Sequence, residues 1–100
     1  MAFKRGNTYE LKAIIKDIDI EDIAKVVFQF NDIEKTYETG ESGDVTYEDG
    51  IFTISLSQEE TLAFNSSVKY EVAIRFTNGQ VKRSEVKSDN LKETIIEKEI

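Results

Sequence analysis

"SVKYEVAIRFTNGQVKRSEV", residues 67–86, decides the fold. Val68, Tyr70, Val72, Ile74 and Phe76 alternate with Lys69, Glu71, Ala73, Arg75 and Thr77. A period of two over ten residues marks a strand with one buried face, because a helix would repeat its apolar residues every three or four. One buried and one wet face also imply an antiparallel sheet. The run enters Asn78-Gly79, two residue types that tolerate positive φ, so a two-residue type I′ hairpin is predicted. The return strand, Gln80 to Ser88, carries Lys82, Arg83, Glu85 and Lys87. Such charge suits an edge strand, where it discourages pairing with another chain.

The same logic extends upstream. In "EDGIFTISLS" (48–57), Asp49-Gly50 reads as a turn, and Phe52, Ile54 and Leu56 share one face. "DVTY" (44–47) pairs across that turn through Val45 and Tyr47. "TGESGD" (39–44) is a loop, and "IEKTYET" (33–39) is a polar strand. In "KVVFQFN" (25–31), Val26, Phe28 and Phe30 point to the core; in "TYELKAII" (8–15), Tyr9, Leu11, Ala13 and Ile15 do so. Between these two lies "KDIDIEDIAK" (16–25), with Ile20, Ile23 and Ala24 at helix-like spacing and Asp19 as a cap. One short helical turn is expected there. The last stretch, "DNLKETIIEKEI" (89–100), fits a short helix or a strand.

About seven short strands at regular spacing imply an all-β, immunoglobulin-like antiparallel β-sandwich with one or two short helical crossover turns. The 100 residues hold one domain, 1–100, with 1–6 and 97–100 as loose ends. The chain has no Trp and no Cys, so this is not an antibody-type domain with its buried Trp and disulfide.

One stretch breaks the alternation. "SLSQEETLAF" (55–64) contains Ser-x-x-Glu, a capping box in which the Ser57 hydroxyl accepts from the Glu60 amide and the Glu60 carboxylate accepts from the Ser57 amide. Glu59 and Glu60 favour the positive end of that turn's dipole. Ser57, Glu60 and Leu62 are thus read as a structural crossover between sheets, with Leu62 pointing into the core. Tyr70 follows near the position of the tyrosine corner of immunoglobulin-like folds. A binding role for the turn is the weaker alternative.

Composition excludes much chemistry. Without Cys there is no thiolate nucleophile or thiolate-held metal, and without His the commonest general base and metal ligand are missing. Carboxylate pairs such as Asp17 with Asp19, or Glu59 with Glu60, arise by chance among twenty acids. "DIDIED" (17–22) and "DVTYEDG" (44–50) invite a calcium reading, but their spacing departs from a calcium loop. The glycines are too scattered for a phosphate loop. The net charge of −7 disfavours nucleic acid and anionic membrane surfaces. The N-terminus has no apolar run and no segment reaches membrane-spanning length. No enzyme activity, cofactor, metal or small-molecule substrate is therefore expected.

Two features could recognise a partner. Tyr9, Tyr37 and Tyr47 could stack on a sugar if exposed, though such residues more often sit half-buried. In the tail, Leu91, Ile95, Ile96 and Ile100 are apolar within a charged segment. They either pack on the chain's own sheet or dock to a neighbouring subunit.

The order "MAFKRGNT", "IEDIAKVVFQF", "GIFTISLSQEETLAF", "VKYEVAIRFTNGQVKRSEV" and an acidic, Ile-ending tail resembles small proteins of phage and prophage tail modules of Firmicutes. It is also similar to the immunoglobulin-like N-terminal domains of some phage baseplate proteins. The likeness covers nearly the whole chain, and its most specific part is Leu56 to Leu62 with the downstream Asn-Gly hairpin. The resemblance implies a non-enzymatic virion or tail-associated structural protein that contacts other tail proteins or copies of itself. It places the chain in the virion if phage-derived, and otherwise in the bacterial host cytoplasm. The alternatives are a host-surface glycan-binding module and a small acidic regulator of a basic partner.

Overall fold

The computed structural model describes residues 3–15, 18–38, 43, 45–64 and 67–84, and the backbone of 87–89 and 91–92. Two sheets face each other. One has the order β2 (Tyr9–Ala13), β6 (Ile51–Leu56), β5 (Val45–Glu48). The other runs β4 (Ile33–Glu38), β3 (Ile23–Phe30), β7 (Val68–Phe76), β8 (Val81–Arg83), with β9 (Lys87–Asp89) also on β7. All pairings within both sheets are antiparallel. This is the B-E-D and C′-C-F-G order of an immunoglobulin-like sandwich. A third, small ladder pairs β1 (Phe3–Lys4) with β10 (Leu91–Lys92) in parallel, Phe3 opposite Leu91.

The alternation read from the sequence is the alternation of burial. Val26, Phe28 and Phe30 from one sheet meet Val45, Phe52, Ile54 and Leu56 from the other, and all are buried. Phe28 and Phe52 touch across the interface with ring centroids 6.0 Å apart. Five of the six Phe are buried. Each contributes about 1.5–3 kcal/mol relative to exposure, so the core closes without Trp or a disulfide. Phe3 is only 1% exposed and packs edge-on against Tyr9, Phe30 and Phe64. The N-terminal segment expected to hang loose therefore supplies a core residue, and Arg5 and Gly6 behind it are tied to the 57–64 crossover.

Turn chemistry explains the hairpins, with one correction. Asp49 and Gly50 both have positive φ (50° and 82°) and join Glu48 to its pair Ile51, the geometry of a type I′ turn. At Asn78-Gly79 only Gly79 is left-handed (φ 89°). The Gly79 N–H donates to the Phe76 carbonyl at 2.9 Å, and the Phe76 N–H donates to the Gln80 carbonyl at 2.8 Å. The loop is therefore three residues, Thr77 to Gly79, a type I turn closed by a left-handed glycine. Asn78 instead accepts from the Gln80 N–H through Oδ1.

Three further expectations are refined. The crossover at 16–25 is a 3-10 turn, Ile20–Asp22; Asp19 stands at its N-cap position without a side-chain cap bond. Ile23 and Ala24 already belong to β3, where the register with β7 shifts between Ile23 and Lys25. The return strand from 80 to 88 is broken. β8 stops at Arg83, and Ser84 binds Val72 by donating its N–H to the carbonyl (2.8 Å) and accepting the Val72 N–H on Oγ (2.9 Å). A hydroxyl that takes over a ladder bond lets the chain leave the strand without orphaning a donor.

Candidate interaction surface

The crossover predicted from Ser-x-x-Glu is present as α1 (Gln58–Leu62). The Glu60 N–H donates to Ser57 Oγ at 3.2 Å, and the Ser57 N–H donates to Glu60 Oε1 at 2.9 Å. Leu62, expected to anchor the turn, is only half-buried and lies outside the core cluster. The anchors are Thr61 and Phe64, 0% and 2% exposed. Thr61 Oγ1 donates to the Asn7 carbonyl at 2.7 Å and accepts from the Gly6 N–H at 3.0 Å. Arg5 adds a 2.8 Å bond from its guanidinium to the Leu62 carbonyl. In a single turn of helix, only the residues facing inward past the cap reach the core, here Thr61 and Phe64. Tyr70 is half-buried, pairs with Phe30 in the β3–β7 register and stacks on it at 6.1 Å.

Sequence reasoning missed Lys35. It occupies an inward position of β4, opposite Phe28, and is 6% exposed. Its ammonium bridges the Glu60 carboxylate, 2.9 Å to Oε1 and 2.7 Å to Oε2. Burial alone would push the Glu60 carboxyl up; the Lys35 ammonium and the Ser57 amide outweigh that and hold it below the usual carboxylate range. The available signal was the spacing Ile33-x-Lys35-x-Tyr37, which puts a cation on the apolar face.

The two seams of the sandwich differ. On the β4/β5 side Tyr37 and Tyr47 meet at 6.2 Å and both pack on Phe52, at 5.3 and 4.8 Å. All four Tyr are half-buried and packed on the core, so none offers an exposed stacking platform for a sugar. On the opposite side, β2 is an edge strand, paired only with β6 among the described residues. Beside it runs an apolar groove lined by Leu11, Ala13, Phe28, Phe30, Tyr70 and Val72. A second stretch, past Ile14, Ile15 and Ile74, reaches Lys82 and Arg83. Ile14, 67% exposed, stands on this side. The outward face of β2 carries Glu10 and Lys12, both exposed.

Of the tail residues proposed for partner contact, Leu91 lies in β10, its backbone paired with the chain's own Phe3. Ile95, Ile96 and Ile100 lie outside the described residues, as do Asp17 and Asp44 of the two acidic stretches. Among the described residues no group of three or more acidic side chains is placed to hold a metal ion, and no helix is long and apolar enough to cross a membrane. Comparison with protein families, with curated proteins and with solved structures gives no match to this chain.

Proposed function

We propose that this chain is a non-enzymatic structural module that acts through protein–protein contact, as a virion or tail-associated component of a phage or prophage. The tail placement rests on the sequence resemblance. The contact role is supported by one observation: among the described residues the sandwich is sealed by aromatics at one seam and left uncovered at the other, where the β2 edge runs beside an apolar groove. Natural domains usually blunt such an edge with like charge, a bulge, a proline or a covering element, because it templates strand addition; the two exposed charges of β2, Glu10 and Lys12, are of opposite sign. Here β2 retains five residues of regular pairing to β6. Retention of an open edge beside apolar surface fits a strand meant to be covered in an assembly.

Mass spectrometry of purified virions from the strain that carries the gene tests the placement. The chain should be found in the particles at a fixed ratio to other tail proteins. Particles that lack it, produced while the cell lysate contains it, would overturn the tail assignment.

A further inference from the structure

The geometry points to a second copy of this chain as the partner that covers β2, through antiparallel β2–β2 pairing about a two-fold axis centred on Leu11. This inference rests on the contact role proposed above and names its partner. An edge strand can pair with its own copy only if opposing residues match, because residues directly opposite in an antiparallel pair lie on the same face and touch. The sequence of β2 is Tyr9-Glu10-Leu11-Lys12-Ala13. With Leu11 on the axis, Glu10 of each copy faces Lys12 of the other on the wet side, twice. Leu11 faces Leu11, and Tyr9 faces Ala13, on the side that borders the groove.

Neighbouring registers fail. Centring on Glu10 sets Glu10 against Glu10, and centring on Lys12 sets Lys12 against Lys12; like charges directly opposite destabilise a pair. A shift of one residue would put Leu11 of one copy against a charged neighbour of the other and turn its side chain to the wrong face. The favoured register also uses all five residues of the strand and brings Ile14, 67% exposed in the single chain, opposite Thr8 of the second copy. Two three-stranded sheets would then join into one six-stranded sheet, β5-β6-β2 continuing into β2-β6-β5. A two-fold pairing of this kind is isologous and closed, so it stops at a dimer through this edge.

The test is a charge swap at two exposed positions that do not touch the core. Sedimentation equilibrium across a concentration series should show a monomer–dimer equilibrium for the unaltered chain. Glu10→Lys alone, and Lys12→Glu alone, should each weaken dimerisation by about tenfold or more, since each replaces two attractive pairs by two repulsive ones. The double variant Glu10→Lys/Lys12→Glu restores complementarity and should dimerise like the unaltered chain. Circular dichroism confirms that each variant keeps its β structure. A chain that is monomeric throughout the series overturns the inference, as does a dimer whose strength ignores the single swaps or is not restored by the double one. Neither result touches the virion measurement, so failure of this pairing is distinguishable from failure of the proposed virion role.

Discussion

Lys35 Nζ lies 2.7 Å from Glu60 Oε2, and this one ion pair ties the inward face of β4 to the cap of α1. Lys35 is 6% exposed, whereas the Glu60 side chain is 26% exposed. The two partners are therefore not equivalent. Glu60→Gln keeps a residue able to complete the capping box but removes the negative charge that Glu60 sets against a buried ammonium. The expected loss is about 2 kcal/mol, less than for a fully buried pair because water reaches one side. Urea denaturation measures it, and a loss below that of Ser57→Ala would show that the pair adds little.

Ser57→Ala removes only the acceptor for the Glu60 N–H. It should cost about 0.5–2 kcal/mol and leave partner binding and self-association unchanged. Loss of association with an intact fold would mean that the turn itself is a contact element.

The pair also sets a pH dependence. The Glu60 carboxyl is held below its ordinary value in the folded chain, so folding favours its deprotonated form. That stability is fully present above the ordinary carboxyl value of the unfolded chain and is lost as pH falls through the lower folded value. The difference in urea midpoint between the unaltered chain and Lys35→Met should therefore shrink as pH is lowered from 7 to 3. A difference that stays constant would mean that Lys35 does not act through the Glu60 charge.

Thr61 is the buried link between α1 and the loop after β1. Thr61→Val keeps the shape but removes the group that serves Gly6 N–H and Asn7 carbonyl. The expected cost is about 1–3 kcal/mol, the penalty for leaving part-buried backbone groups unserved. Thermal denaturation of the variant reads it directly.

The 77–79 loop separates two readings of the same dipeptide. Because only Gly79 is left-handed, Gly79→Ala should cost about 1 kcal/mol or somewhat more, while Asn78→Ala loses only an exposed bond to Gln80 and should cost less. A true type I′ turn would make both positions sensitive, and parallel urea titrations of the two variants distinguish the cases.

Most strands were legible because a half-buried strand writes its burial as alternation. β7, β6 and β3 appear in the sequence as Val-x-Tyr-x-Val-x-Ile, Phe-x-Ile-x-Leu and Val-x-Phe-x-Phe, and the same residues are buried in the core or, for Tyr70 and Val72, half-buried against it. The capping box was legible for a similar reason: its partners are three residues apart, so sequence distance stands in for spatial distance. Lys35 was not, because a lysine on an apolar face is acceptable only if a carboxylate waits beyond its end, and that carboxylate is 25 residues away. Thr61 was obscured in the same way, since its partners Gly6 and Asn7 are more than 50 residues distant.

The sequence by itself determined that this protein is a β-sandwich with a capped helical turn at one crossover. Periodicity, turn residues and caps are local signals, and local backbone physics is enough to read them. Tertiary structure alone decided which seam closes and which stays uncovered among the described residues. The Tyr37–Tyr47–Phe52 contact joins three strands, and the exposed β2 edge depends on where β1 goes instead: to β10, at the other end of the chain. Those outcomes depend on which distant segments compete for the same space, and no window of neighbouring residues contains that competition.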